Sequence, residues 1–192
     1  MITGAVMMLG AVISASSIDP YILNAAQRHN VEPAIIHAII KVESNWDTTA
    51  SRYESHLNDS SLGLMQVLLK TAREQLKNPG LTTTQLFDPQ TNIEAGTRYI
   101  AYQLRRYNGN IKDAFAAYNA GSKRLTSSGA YINQSYVDKA YNAYQMYKSQ
   151  STISTAQISK TTSLVSTKYA VPAILSVVLL VIVSYRYFHR SK

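Results

Sequence analysis

The sequence contains no cysteine, and this absence excludes several kinds of site. Without thiols the chain cannot form a disulfide, build a thiolate zinc site or use a cysteine nucleophile. A glycine-rich phosphate loop is also missing, and the four histidines lack the spacing of two metal ligands on one helix. We therefore expect neither a metal site nor a cofactor.

No acidic residue follows Asp138, so the positive charge of the protein is concentrated in its C-terminal part. The formal net charge is +8, yet residues 1–138 carry 12 basic and 11 acidic residues, whereas residues 139–192 carry 7 basic residues and no acid. The charge excess therefore belongs to the C-terminal tail. Nucleic-acid-binding domains concentrate basic residues on one face of the fold, so we expect no nucleic-acid partner.

Side-chain charge is also missing from two apolar segments near the chain ends. Residues 1–18 have an apolar centre followed by small residues but no basic residue, which fits either a signal peptide or a retained helix. Residues 169–185 hold 17 uncharged positions, and a helix of that length rises about 25 Å. We predict a transmembrane helix over residues 169–188 in a lipid membrane, followed by a basic tail over residues 189–192.

Residues 149–168 separate that apolar segment from the rest of the chain. They contain 11 Ser or Thr among 20 positions, which predicts a flexible linker. Three basic residues follow the apolar segment and two precede it, a bias that favours a cytoplasmic C-terminus. The bulk domain, residues 19–148, is then expected to face the periplasm or the cell wall.

Helical signals dominate residues 19–148. Asp19–Pro20 and Asp88–Pro89 each place a proline directly after a residue type that caps helix N-termini. No clear strand alternation is present, although residues 46–62 are compatible with a small hairpin or an irregular loop. The expected helices span residues 19–30, 33–43, 64–77, 88–107, 111–119 and 133–147. The predicted fold class is therefore mainly α.

Glu43 ends the apolar helix that begins at Pro33. A carboxyl packed against apolar side chains has a raised pKa, because burial disfavours its charged form. A raised pKa is what a general acid needs near neutral pH. By itself, however, Glu43 also fits a solvated glutamate near a helix end.

Three further segments follow Glu43–Ser44 in a specific order. Gly63–Gln66 reads Gly-Leu-Met-Gln, Asn92–Ile100 places Gly96 within a helix, and Ala117–Gly121 reads Ala-Tyr-Asn-Ala-Gly. A glycine in mid-helix costs about 1 kcal/mol against alanine, which indicates close packing with a neighbouring element. In this order and spacing, the motifs resemble those of the lysozyme-like lytic transglycosylases of the soluble-lytic (SLT) family.

The resemblance spans about residues 19–148 and implies a lysozyme-like α+β domain, dominated by helices, that acts on peptidoglycan glycan strands. It implies that Glu43 is the only catalytic acid and base. Glu43 would protonate the glycosidic oxygen between N-acetylmuramic acid and N-acetylglucosamine, and then deprotonate the C6 hydroxyl that closes onto C1 as a 1,6-anhydro product. The resemblance also implies that the substrate-binding side chains are Ser44, Met65, Gln66, Tyr118, Asn119 and Tyr136.

Two positions depart from the family pattern. Leu68 stands where the family usually has a proline, and Ile132 stands where it often has a glutamate. The second departure puts a secondary acidic contact in the cleft in doubt. It leaves the chemistry assigned to Glu43 intact.

Two other functions stay open. A hydrolytic muramidase of related fold, as in goose-type lysozymes, needs an ordered water helped by an acid, for which Asp47 and Asp59 are the candidates. A membrane-anchored scaffold would bind glycan strands without cutting them and would have no need of Glu43. A small domain on a membrane anchor is suited to opening the cell wall locally while a larger assembly holds it in place. The candidate assemblies are a virion and a secretion or conjugation machine.

Overall fold

The computed structural model describes residues 18–153 and 157. The chain divides into two compact units, residues 1–148 and 149–192. The described part of the second unit, residues 149–153 and 157, is helical. In chain order, the first unit contains α1 (Asp19–His29), α2 (Pro33–Glu43), β1 (Ser51–Glu54), β2 (Asp59–Leu62), β3 (Val67–Leu68), α3 (Leu69–Leu76), α4 (Thr83–Leu86), α5 (Pro89–Arg106), α6 (Ile111–Ala120) and α7 (residues 134–148).

Helix α2 forms much of the core of the first unit. Pro33 occupies its first turn, where the missing N–H costs nothing, and every apolar side chain from Ala34 to Ile40 is buried. A helix that is apolar on nearly all sides is one that other elements surround. Its C-terminal end therefore brings Glu43 from the core to the edge of the protein.

Helix α5 packs against α1, α3, α4 and α6. Asp88 caps its N-terminus by accepting a 2.8 Å hydrogen bond from the Thr91 N–H. Asn92, Gly96 and Ile100 are all buried and, at a spacing of four residues, lie on one face of the helix. This face is the one that supports the site described below.

A three-stranded antiparallel sheet lies between α2 and α3 in the sequence. The pairing of β1 with β2 sets Glu54 opposite Asp59, and β2 also pairs with β3. Asn58 takes a left-handed conformation, with φ of 50°, in the turn between β1 and β2. The hairpin that residues 46–62 allowed is confirmed, whereas the third strand was not predicted.

Two helix starts differ from the sequence prediction. The predicted helix 64–77 begins only at Leu69, because a turn and then the short strand β3 precede it. Asp19 is the first residue of α1 and not its N-cap, since Ile18 occupies the cap position and already has a helical conformation. The carboxylate of Asp19 lies 3.4 Å from Nε2 of His37.

The predicted C-terminal transmembrane helix requires a correction. Among the residues that the structure describes, no helix is long and apolar enough to cross a membrane. The two longest, α5 and α7, both carry charged side chains among their apolar ones. The predicted span, residues 169–188, lies outside the described residues, as do residues 1–17 and most of the predicted linker. The part of the fold prediction that is confirmed is the mainly helical, lysozyme-like domain.

Candidate active site

Asn92 holds the turn that begins at Gly63. The buried Asn92 amide donates to the carbonyl oxygens of Leu62 (2.8 Å) and Leu86 (2.9 Å). Its Oδ1 accepts a 2.8 Å hydrogen bond from the Met65 N–H. Gly63 has φ of +69°, and a Cβ at this position would lie 2.5 Å from Asn92 Nδ2. Both the conformation and the close approach therefore require glycine.

Met65 lies in the core beneath the site. Its side chain is fully buried against Gly96, where an added Cβ would lie 2.8 Å from the Met65 Cβ. The close packing predicted from a glycine in mid-helix is thereby confirmed. The Met65 carbonyl accepts a 2.9 Å hydrogen bond from the Tyr118 hydroxyl. The backbone of Met65 thus connects the glycine turn to α6.

Glu43 and Tyr136 meet at the end of α2. The Tyr136 hydroxyl donates a 2.7 Å hydrogen bond to Oε1 of Glu43. None of the described residues donates a hydrogen bond to the other oxygen, Oε2. The Glu43 carboxyl is therefore fixed through one oxygen and has the other one available.

Burial is the largest influence on the ionisation of Glu43 and raises its pKa to about 7. The hydrogen bond from Tyr136 and the charge of Arg52 act in the opposite direction, while the charge of Glu54 adds to the rise. Burial, followed by the nearby charge of Glu43, also raises the pKa of Tyr118 and of Tyr136 well above 10. At neutral pH the two tyrosines keep their protons, whereas Glu43 exchanges its own.

Two cavities meet at Glu43. One has a volume of about 680 Å³ and the other about 560 Å³, within the range of ligand-binding clefts. They share Glu43, Arg52, Asn119, Ile132 and Asn133. Because both cavities border the Glu43 carboxyl, the cleft suits an extended substrate that passes across it.

Gln66 and Tyr118 line the larger cavity. The Gln66 amide donates 3.0 Å hydrogen bonds to the carbonyl oxygens of Ala50 and Gly63. The Tyr118 ring packs against Tyr99, with 5.2 Å between ring centroids. Both side chains are therefore held in place by the protein before any ligand is present.

Asn119 borders the cleft, whereas Ser44 does not. Asn119 borders both cavities and accepts a 2.9 Å hydrogen bond from the Asn133 amide. Ser44 borders neither of them, and its hydroxyl donates a 2.8 Å hydrogen bond to the Leu64 carbonyl. The predicted site residues thus fall into a cleft group (Glu43, Gln66, Tyr118, Asn119 and Tyr136) and a supporting pair (Ser44 and Met65).

Sequence reasoning missed polar residues that border the cleft. Arg52 and Glu54 reach it from β1, and Arg124 and Asn133 reach it from the segment between α6 and α7. The signal that could have found Arg52 and Glu54 is the hairpin allowed for residues 46–62, since it follows Glu43 closely in the sequence.

The two aspartates considered for a hydrolytic site lie outside the cleft. Asp47 accepts hydrogen bonds from both the N–H and the hydroxyl of Thr49. Asp59 accepts from the N–H groups of Ser60 (2.7 Å) and Lys70 (3.0 Å). Over residues 18–153 and 157, no three His, Cys, Asp or Glu side chains are grouped so that they could hold a metal ion.

A family model described as the transglycosylase SLT domain matches residues 20–144. The chain belongs to this family. The resemblance carried by the sequence motifs is therefore confirmed, and every predicted site residue lies within the matched range.

Curated proteins named membrane-bound lytic murein transglycosylase C are similar to the SLT domain of this chain. Those of Yersinia pestis (strain Pestoides F) and Yersinia pseudotuberculosis are each 32% identical to it over 115 residues. The aligned region covers 54% of this chain and 31% of each relative. The chain thus spans about a third of the length of the curated relatives that it matches.

Solved structures of lytic transglycosylases share the fold. An inactive mutant of Slt from Pseudomonas aeruginosa matches with a TM-score of 0.55 and 24% identity, covering 69% of this chain and 24% of that one. A 70-kDa soluble lytic transglycosylase in complex with bulgecin A matches with a TM-score of 0.53 and 25% identity, covering 68% and 24%. Both likenesses agree with the helical SLT architecture.

Proposed function

We propose that this SLT domain is a peptidoglycan lytic transglycosylase that cleaves the β-1,4 bond between N-acetylmuramic acid and N-acetylglucosamine. The observation that carries the proposal is the Glu43 carboxyl, which borders two cavities and has a pKa of about 7. Family membership and the names of the relatives support the same activity.

In the first step Glu43 acts as a general acid. With a pKa of about 7, a large share of the carboxyl groups is protonated at neutral pH. The proton passes to the glycosidic oxygen as the bond from this oxygen to C1 of the muramoyl sugar breaks. Because Tyr136 holds Oε1, Oε2 is the oxygen that we assign to this proton transfer.

In the second step the same group acts as a base. The Glu43 carboxylate takes the proton of the muramoyl C6 hydroxyl while the C6 oxygen bonds to C1, which gives the 1,6-anhydro product. The substrate supplies the nucleophile, so this reaction needs no second carboxylate, unlike most glycosidases. Glu43 ends the cycle with its proton restored.

The remaining site residues divide by their contacts. Tyr136 positions Glu43, and Asn119 lies beside it in the cleft. Both N–H groups of the Gln66 amide go to backbone carbonyls, which leaves its oxygen to accept a hydrogen bond from the sugar. We assign Ser44 and Met65 to the support of the glycine turn. The Ser44 hydroxyl donates to the Leu64 carbonyl, and the Met65 backbone donates to Asn92 and accepts from the Tyr118 hydroxyl.

The wall itself is the site of action in this proposal. The orientation with the domain facing the periplasm or the cell wall, and the virion or secretion assembly as a partner, stay predictions that no observation on the described residues supports. A scaffold that binds without cutting is disfavoured by the raised pKa of Glu43, because glycan binding has no use for a group that exchanges protons at neutral pH.

The test is the release of soluble anhydro-muropeptides from purified peptidoglycan by wild type and Glu43→Gln. The matched control is Glu74→Gln, which makes the same chemical change at an exposed carboxylate on α3. We expect Glu43→Gln to lower the rate by about 100-fold or more, because the amide cannot exchange the proton. A loss below about tenfold, equivalent to 1.4 kcal/mol of barrier, contradicts the assignment. Binding without release by wild type favours the scaffold.

A further inference from the structure

Glu54 is a second carboxylate in the cleft of Glu43. It is the last residue of β1, and its side chain is only 18% exposed although the three residues before it in the strand are exposed. It borders the larger cavity together with Glu43. The β1–β2 hairpin therefore places a second acidic group beside the proposed acid.

Two donors hold Glu54, and both contact the same oxygen. Arg52 Nε donates to Oε1 at 2.6 Å, and the Ser61 hydroxyl donates to Oε1 at 3.4 Å. Arg52 and Ser61 are themselves paired opposite each other in the sheet. Of the residues that the structure describes, none donates a hydrogen bond to Oε2 of Glu54. One oxygen is thus anchored and the other is available in the cleft.

The two carboxyls have environments suited to opposite roles. Glu43 is buried and accepts a hydrogen bond from a neutral phenol, whereas Glu54 forms an ion pair with a guanidinium. Pairs of carboxyls in contrasting environments divide the acid and base roles of glycoside hydrolysis. Neither Asp47 nor Asp59 competes for the base role, since both are bonded elsewhere and lie outside the cleft.

We propose that Glu54 is a second catalytic carboxylate, which activates a water molecule so that the cleft also hydrolyses the bond that Glu43 protonates. In this branch the proton of Glu43 passes to the glycosidic oxygen as its bond to C1 breaks. The water oxygen bonds to C1 and gives one proton to Glu54. One water is consumed, and the muramoyl sugar ends with a reducing group in place of the 1,6-anhydro ring. The inference rests on the proposed function, because it uses the same substrate and the same acid.

The experiment counts both kinds of product from one digest. Purified peptidoglycan is treated with the full-length wild-type chain, Glu54→Gln, Glu43→Gln or the control Glu74→Gln. The products are then reduced with borohydride and analysed by mass spectrometry. Reducing ends are converted to alditols and anhydro ends are not, and a boiled-enzyme sample gives the background of ends already in the substrate.

We expect wild type and Glu74→Gln to form both products. Glu54→Gln should lower the rate of new reducing ends by about 100-fold, the usual contribution of a general base. The anhydro rate should change far less, since that product needs no base at Glu54 and the charge of Glu54 is the smallest influence on the pKa of Glu43. Glu43→Gln should lose both. The exposed Arg52 partner makes loss of the ion pair a small cost, so the fold of Glu54→Gln should survive, as thermal unfolding would verify. Glu54→Asp, which withdraws the carboxylate by one methylene, should show the same selective loss.

The inference is overturned if wild type forms no reducing ends above background. It is also overturned if Glu54→Gln lowers both products in proportion, which indicates a structural role, or if it lowers neither. Reducing ends that depend on Glu54, in the absence of anhydro products, contradict the proposed transglycosylase and support Glu54. Anhydro products without new reducing ends contradict the role of Glu54 and support the proposed transglycosylase.

Discussion

The Tyr136 hydroxyl donates a 2.7 Å hydrogen bond to Glu43 across 93 residues of sequence. This bond stabilises the carboxylate of Glu43 and opposes the effect of burial, which stabilises the neutral acid. The pKa of about 7 is the balance of these two effects and of the smaller effects of the Arg52 and Glu54 charges. One oxygen atom on α7 therefore influences the proton affinity of the proposed catalytic group on α2.

Tyr136→Phe should raise the pKa of Glu43. The substitution removes the donor and keeps the ring, and a hydrogen bond to a charged group contributes about 1.5–3 kcal/mol, so we expect a rise of about one to two pKa units. The alkaline limb of the pH–rate profile should move upward by the same amount, since Glu43 must be protonated in the first step. The control is Tyr102→Phe at an exposed position of α5. An unmoved alkaline limb would show that Glu43 does not set it.

Glu43→Gln should stabilise the fold at high pH. Because folding raises the pKa of Glu43 from 4.5 to about 7, the folded state binds more protons than the unfolded state between these values. Wild type therefore loses stability as pH rises through this window, by about 3 kcal/mol when the window is passed. Glutamine carries no such cost and can still accept the bond from Tyr136.

The measurement is thermal unfolding of both proteins at pH 4 and pH 8. The unfolding temperature of Glu43→Gln should exceed that of wild type at pH 8, and the advantage should disappear at pH 4. A mutant that is markedly less stable than wild type at pH 8 alone would mean that Glu43 is a paired structural carboxylate. That result would remove the physical basis of its catalytic role.

Much of the helical frame follows from local sequence signals. Proline after a capping acid marks the start of α5 correctly, and Gly121 ends α6 with φ of 75°. These signals act within a few residues, so they can be recognised in a single sequence. The strand β3 has only two residues and no alternation of its own, because its existence depends on pairing with β2.

The sequence predicted which residues belong to the site, but not which way their side chains point. The motif order located Glu43 and the glycine turn, but whether Met65 faces the cleft or the core depends on the contact with Gly96 on another helix. Glu54 was missed for a related reason. Its side chain reaches the cleft only because the β1–β2 register turns it there, and no short sequence pattern specifies that register.

Gly96→Ala should destabilise the domain, against the usual preference of helices for alanine. The added Cβ would lie 2.8 Å from the Met65 Cβ, which the backbone of the glycine turn holds in place. Overpacking of this kind costs about 1–3 kcal/mol. Activity should fall as well, because movement of Met65 disturbs the carbonyl that holds Tyr118.

The control is Gly80→Ala, where the added Cβ would meet its nearest neighbour only at 3.7 Å, an ordinary contact. Chemical unfolding of the two variants separates close packing from a general effect of glycine replacement. Equal stability of both variants would show that Met65 adjusts freely, and the turn would then not depend on the contact with Gly96.

Glu94→Gln should have the opposite pH dependence to Glu43→Gln. Burial alone would raise the pKa of Glu94, but donors on Arg28, His29 and Arg98, at 2.6 to 2.8 Å, outweigh it and hold the pKa at about 2. The unfolded state therefore binds more protons than the folded state between about pH 2 and 4.5. The stabilisation by Glu94 is fully present above this window and is lost as pH falls through it.

The Glu94 side chain is 16% exposed, but its partners Arg28 and Arg98 are 50% and 37% exposed, so solvent screens the ion pairs. The carboxylate should therefore contribute about 1–2 kcal/mol at pH 7, which Glu94→Gln would remove. Thermal unfolding should show a clear deficit for Glu94→Gln at pH 7 that shrinks steadily towards pH 2, with Glu74→Gln matching wild type throughout. A deficit of constant size at every pH would mean that packing around α1 and α5, and not the charge of Glu94, is what the substitution disturbs.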